Sequence, residues 1–137
     1  MKKAIYISIK PKFTKLIETG EKNYEFRKYI PKETIDTLFV YETVPTCKLK
    51  YIIELGKIVC YPDKLIKDGY GNSDFNNGLK KSKYAYEISH VDVLNNPISL
   101  HDLKEIYGFT PPQSYAYDSK YEELTKVIKS SDKKRLI

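Results

Sequence analysis

Three charged residues follow a predicted helix within one short stretch, and their side chains are of types that bind phosphate groups and base edges. Lys22, Glu25 and Arg27 lie just after Gly20, interleaved with aromatic residues. An arginine fork binds phosphate or a base edge through two hydrogen bonds, whereas lysine acts as a point charge. Glu25 can hold Arg27 by a charge-assisted bond or accept a hydrogen bond from an exocyclic amine. The pattern favours a nucleic-acid pocket, and the alternative is an ion-pair cluster that only shields one end of the fold.

Six further polar or aromatic side chains are candidates to line the same pocket: Ser8, Lys10, Glu42, Gln113, Ser114 and Tyr115. The first two offer a hydroxyl and an ammonium group on the first strand, and Glu42 is a second acid at the end of a later strand. The last three follow two prolines and offer an amide, a hydroxyl and a ring, which suits recognition of a base. The simpler alternative for each is a solvated strand end or a plain turn.

The balance of charges favours an anionic partner. The 137 residues carry a net charge of +6, which points to RNA, single-stranded DNA or a modified nucleotide. No apolar run reaches the roughly 18 residues of a membrane span, and the N-terminus enters a strand pattern directly. We therefore expect a cytoplasmic protein that does not bind membranes. No Cys or His spacing suits zinc and no phosphate-cradling loop occurs, so no metal or cofactor is predicted.

The hydrophobic pattern predicts many strands and a few short helices. Strands are predicted at 4–9, about 22–29, 37–41, 48–61 and 83–94, with a short last strand after Pro112. Helices are predicted after Pro11, at 64–67, after Ser99 and at 120–129. The remaining segments are predicted as a bulge or bend at Gly56, a loop at 69–78 that could act as a lid, and a turn at 95–97.

Strict alternation along the second strand raises one geometric condition. It places Lys22 on the face of Tyr24 and Phe26, opposite Glu25 and Arg27. All three charges can serve one pocket only if Lys22 lies in the turn before regular pairing begins, or if a bulge intervenes.

The order of elements predicts an α+β, mainly β fold, because strands predominate without a regular βαβ alternation. We expect a small barrel of mixed or antiparallel strands, flanked by short helices. Residues 1–129 are predicted to form a single domain. The basic segment 130–137, which includes Lys133, Lys134 and Arg135, is predicted to be a solvated tail.

The segment Gly20-x-Lys22-x-x-Glu25-x-Arg27, preceded by Ser-Ile-Lys-Pro at 8–11, resembles the ASCH domain of the PUA-like superfamily. The segments 41–46 and 111–115 resemble phage- and prophage-type members. The resemblance covers about residues 4–117. It implies a β-barrel flanked by helices, with a cleft lined by this motif, in a superfamily that mostly binds RNA, DNA or modified nucleosides.

One ASCH branch hydrolyses N4-acetylcytidine with a lysine of the motif, a threonine three residues later and a distant glutamate. This sequence has Glu25 at the threonine position. A carboxylate is a poor substitute for a hydroxyl nucleophile but can act as a base on water. The leading hypothesis is therefore nucleic-acid binding, with no committed catalytic residue. The alternatives are an amidohydrolase using Lys22 and Glu25, and a phage interaction protein whose basic face meets an acidic protein.

Overall fold

The computed structural model describes residues 2–137, and Met1 lies outside the described residues. The seven strands are β1 (Lys3–Ile9), β2 (Tyr24–Arg27), β3 (Ile35–Glu42), β4 (Lys48–Cys60), β5 (Tyr84–Ser99), β6 (Ala116–Tyr117) and β7 (Lys133–Arg135). The four α-helices are α1 (Pro11–Glu18), α2 (Asn72–Asn76), α3 (Leu100–Tyr107) and α4 (Glu122–Ser130), and a 3₁₀ helix (Asp118–Tyr121) precedes the last.

All seven strands belong to one mixed sheet in the order β2-β5-β4-β3-β1-β6, and β7 also pairs with β5. Strands β1 and β3 are parallel, whereas the other pairs are antiparallel. The sheet curls into a half-barrel with short helices, which confirms the predicted α+β, mainly β, PUA-like class. Since β2 and β6 are the ends of the path, the half-barrel has two free edges.

Strand β1 is buried on both faces, which explains why it reads as an almost continuous apolar run. Ile5, Ile7 and Ile9 pack inside the half-barrel against Ile17 of α1. Tyr6 packs on the opposite face, in the cluster that α3 and α4 cover. Buried on both sides, β1 holds the two layers of the fold together and fixes the position of its own carboxyl end.

Two predicted local features are confirmed in detail. Helix α1 begins at Pro11 and stops before Gly20, whose φ of +82° favours glycine. The β4–β5 register shifts between Leu55 and Ile58, so a bulge lies at Gly56 as predicted. A Cβ at position 56 would lie 2.0 Å from a carboxylate oxygen of Glu87, so a larger residue there would force the Glu87 side chain to move.

Three predicted local features are wrong. The helix predicted at 64–67 is irregular chain, and the predicted loop at 69–78 contains α2. Phe75 of α2 is buried beside Tyr24 and Leu65, and this local core decides where the helix forms. The predicted turn at 95–97 lies within β5, which continues to Ser99 because β4 pairs with it there.

The prediction of a solvated C-terminal tail is also wrong for residues 133–135. Lys133–Arg135 forms β7, which pairs with β5. Arg135 donates to Asp92 of β5 at 2.8 Å, which anchors the strand although its side chains are exposed. The single domain over residues 1–129 stays a prediction. Within residues 2–137, every helix is too short or too polar to cross a membrane.

Candidate functional site

The carboxyl ends of the two parallel strands lie side by side, and several predicted site residues gather there. Ile9 of β1 pairs with Glu42 of β3, and α1 begins directly after Lys10. Ser8 lies one residue earlier on β1. The fold therefore brings Ser8, Lys10 and Glu42 to one end of the half-barrel, as strands that run in parallel must do.

Lys22, Glu25 and Arg27 form a continuous ion-pair network, called here the triad. Lys22 Nζ lies 3.5 Å from one Glu25 oxygen, and an Arg27 terminal nitrogen lies 2.8 Å from the other. Their side chains are 5%, 9% and 14% exposed, respectively. Strand β2 begins only at Tyr24, so Lys22 lies in the turn before regular pairing, which meets the condition set by the sequence.

Arg27 also links the edge strand β2 to β1, the strand next to the other edge of the half-barrel. One of its terminal nitrogens donates to the backbone oxygen of Ser8 on β1 at 3.0 Å. Nearby, Tyr29 donates through its hydroxyl to the backbone oxygen of Ser114 at 2.7 Å. The hydroxyl of Ser8 in turn donates to the backbone oxygen of Pro112 at 2.8 Å. These bonds hold β2, β1 and the 110–115 segment together at one end of the half-barrel. We call the surface at this end, which carries Arg27, Ser8 and residues 113–115, the opening.

The pKa values of the two cations of the triad are shifted in opposite directions. Burial lowers the pKa of the Lys22 ammonium below its usual value, and Glu25 opposes this shift only in part. Burial also acts to lower the pKa of Arg27, but Glu25 and Tyr29 outweigh it, so the pKa of the guanidinium is raised. With two cations and one carboxylate, the triad carries one uncompensated positive charge when fully ionised.

Glu42 has partners that the sequence did not indicate. The Thr14 hydroxyl of α1 donates to one of its oxygens, and Lys50 Nζ lies 3.4 Å from the other. Thr14 is buried on the same face of α1 as Ile17, three residues on. Thr14 is thus a polar residue at an apolar position of an amphipathic helix, and this is the feature of the sequence that could have identified it as a partner of a buried polar group. The contact between Lys50 and Glu42 could not be predicted from the sequence, because it depends on the register of β3 and β4.

The remaining predicted site residues lie at the surface of the same region. Tyr115 stacks on Tyr29 with ring centroids 5.0 Å apart. Lys10, Gln113 and Ser114 are exposed, and their side chains make no hydrogen bond to the rest of residues 2–137. They are free to meet a ligand, but the structure does not bring them into contact with the triad.

The segment between β4 and β5 covers the Lys22 side of the triad. The Tyr70 amide donates to the Glu21 carbonyl at 2.8 Å, and its ring packs 6.1 Å from the ring of Phe13. Asn23 donates to the carbonyl of Asp68 and accepts from Asn72. With this cover in place, Arg27 is the most exposed member of the triad.

Five surface hollows of about 200 to 440 Å³ lie elsewhere on residues 2–137, and the triad lines none of them. The same residues contain no cluster of three His, Cys, Asp or Glu side chains suited to a metal ion. The arrangement can therefore present positive charge, an arginine fork and stacking rings at the rim of the opening. Ligand binding by these residues stays a prediction.

The mixed half-barrel sheet with its short helices places the chain in the PUA-like class of folds. No family model matches the sequence. The chain is 30% identical to an ASCH domain-containing ribonuclease of Zymomonas mobilis subsp. mobilis, over 93% of this chain and 91% of that protein. This chain belongs to the ASCH domain family, which confirms the resemblance, whereas its phage-type detail stays a prediction.

Solved structures agree with this assignment. The crystal structure of ASCH from Zymomonas mobilis is 28% identical, with a TM-score of 0.69 over 95% of this chain and 96% of that one. A tyrosine-to-phenylalanine mutant of that protein is 26% identical, with a TM-score of 0.73 over 96% of this chain and 100% of that one. A serine-to-alanine mutant is 27% identical, with a TM-score of 0.67 over 96% and 98%.

Proposed function

We propose that this protein binds RNA at the opening between the two edges of the half-barrel and cleaves it. The observation that carries the proposal is the match over nearly the full length of both chains to a relative named a ribonuclease. The Arg27 guanidinium, at the rim and held by Glu25 and Ser8, supports it physically. A guanidinium fixed in this way is pre-organised to bind a phosphate.

The roles follow from exposure. Arg27 and the exposed Lys10 bind phosphate groups, because both are cations of the site that solvent reaches. Gln113 and the Tyr115 ring contact a base, since single-stranded RNA is recognised by stacking and by hydrogen bonds to base edges. Glu25 holds Arg27, and Lys22, which pairs with the other oxygen of Glu25, supplies the surplus positive charge. Binding and cleavage of RNA are tested in two separate experiments.

The first experiment measures binding by fluorescence polarisation with labelled single-stranded RNA and matched DNA. Lys10→Gln and Gln113→Ala are exposed changes that should leave the fold intact, and each should weaken RNA binding about tenfold, equivalent to about 1.4 kcal/mol. Lys104→Gln on α3 is the control, because it removes one exposed lysine that is not among the residues assigned to the opening. Equal binding by wild type and both site variants would count decisively against this location.

The second experiment measures cleavage of the same RNA on a denaturing gel. In the proposed step the ribose 2′-hydroxyl gives up its proton as its oxygen bonds to the adjacent phosphorus. The bond from phosphorus to the 5′-oxygen of the next nucleotide breaks, that oxygen takes up a proton, and a 2′,3′-cyclic phosphate remains. DNA lacks the 2′-hydroxyl, so cleavage by this route is expected for RNA alone. Intact RNA at high protein concentration, with binding retained, would restrict the function to RNA binding.

One observation favours the amidohydrolase as a second candidate. Lys22 has a pKa lowered by burial and lies against the Glu25 carboxylate, a combination that occurs in groups that transfer protons. Chromatography of N4-acetylcytidine after incubation distinguishes the two functions. Release of cytidine that is lost in Lys22→Met would support the amidohydrolase, and unchanged substrate would exclude it.

A further inference from the structure

A second basic surface lies at the pole of the sheet opposite the proposed opening. Two surface hollows meet there and share Lys2 in their linings. The first, of about 370 Å³, is formed by the 30–35 connection and the bulge at 56–58. The second, of about 200 Å³, lies beside the starts of β1 and β3 and the end of α4. We call the two together the amino-end basic surface.

The charge of this surface sets it apart from the other hollows. Its lining contains six lysines and three acidic residues, so it holds half of the net charge of the whole chain. The six lysines are Lys2, Lys3, Lys32, Lys57, Lys129 and Lys133. The linings of the other three hollows are neutral or carry more acidic than basic residues. Among these five hollows, the positive charge is therefore greatest at this pole.

Most of this charge is available to a partner. Within residues 2–137, Lys3 is the only one of the six lysines with a carboxylate within 4 Å, at 3.5 Å from Glu33. Lys133 is held in place because β7 pairs with β5. The basic C-terminal segment is thus a fixed part of the sheet, and Lys133 lines the same hollow as Lys129.

The shape also suits a nucleic-acid strand more than a lone anion. Ile30, Pro31 and Ile58 give the first hollow an apolar wall beside its lysines. The first hollow begins at Ile30, next in sequence to Tyr29 of the opening, whereas the second hollow lies at the start of β1, about 20 Å from Ser8 along that strand. A single nucleotide cannot contact both the opening and the second hollow, whereas a strand of several nucleotides can.

We infer that the amino-end basic surface binds the phosphate backbone of the RNA strand whose other part occupies the proposed opening. The inference rests on the proposed function and adds to it a second, sequence-independent contact. Lysines that neutralise phosphates release counterions, so the contact makes affinity dependent on salt. It also makes affinity dependent on length, because only a strand that reaches both places gains from it.

The test compares two variants with the same change in charge. The surface variant carries Lys32→Gln, Lys57→Gln and Lys133→Gln. The control variant carries Lys81→Gln, Lys104→Gln and Lys120→Gln, which are exposed lysines outside this surface. Binding is measured by fluorescence polarisation across a series of salt concentrations, with single-stranded RNA of about 4 and about 16 nucleotides.

The expected result is specific to the surface variant and to the long RNA. Losing three phosphate contacts should reduce the slope of log affinity against log salt by about 2. The short RNA should bind the surface variant as it binds the wild type. Equal losses in the surface and control variants, or equal losses for both lengths, would overturn the inference while leaving the proposed opening intact. If wild type binds neither RNA, the inference and the proposed function both fail.

Discussion

Removing the central charge of the triad should destabilise the protein strongly. Glu25→Gln keeps the shape of the side chain but leaves Lys22 and Arg27 as buried cations without a carboxylate. Breaking a buried pair by removing one partner costs roughly 3–5 kcal/mol, because an uncompensated charge stays in the interior. In a domain of this size that loss lowers the melting temperature by about 10 °C.

The assay is urea unfolding followed by circular dichroism, with Glu54→Gln as the matched control. Glu54 pairs with Arg135 at 3.5 Å, but both side chains are 50% exposed. A surface pair of this kind contributes less than about 1 kcal/mol. If Glu25→Gln is no more destabilising than Glu54→Gln, the triad is not a buried network and the reasoning fails.

The pH dependence gives an independent check on the same variant. The pKa of Lys22 is lowered in the folded protein, so the unfolded chain binds more protons and stability rises with pH between the two values. Without the opposing effect of Glu25, the pKa of Lys22 falls further in Glu25→Gln. The variant should therefore regain stability relative to wild type as pH rises toward the ordinary lysine value. A difference that stays constant with pH would contradict this explanation.

Three other substitutions test neighbouring parts of the site. Thr14→Val removes a donor to the buried Glu42 and should cost about 1–3 kcal/mol in urea unfolding. Gly71→Ala should cost about 2 kcal/mol in the same assay, since φ is +81° and a Cβ would meet an aromatic ring at 3.0 Å. Tyr29→Phe removes the bond to the 110–115 segment and should speed hydrogen exchange there, with a loss of about 1 kcal/mol or less.

Each of these substitutions has a matched control. Thr19→Val removes an exposed hydroxyl from the end of α1 and should be nearly neutral. Gly108→Ala has a similar positive φ but open space around it, so it should cost only the backbone strain of about 1 kcal/mol. Tyr107→Phe should leave exchange in 110–115 unchanged. A control that matches its test variant would show that the contact proposed for that variant does not matter.

Local patterns were enough to predict much of the frame of this protein. The apolar run of β1, the proline start and glycine end of α1, and the serine cap of α3 act over a few residues and were confirmed. The motif at 20–27 also predicted the ASCH domain family, which the match to the Zymomonas mobilis relative confirms. The glycine at 56 likewise predicted an irregularity in its strand, and the β4–β5 register does shift there.

The tertiary structure decided which charges meet and which segments are ordered. The contacts of Glu42 with Thr14 and Lys50, and of Arg27 with Ser8, join residues whose separation in sequence carries no local signal. Likewise, residues 133–135 have a composition typical of a tail, yet pairing with β5 makes them a strand. Local propensity is a short-range energy, whereas burial of the triad and concentration of lysines at one pole depend on how distant strands pack.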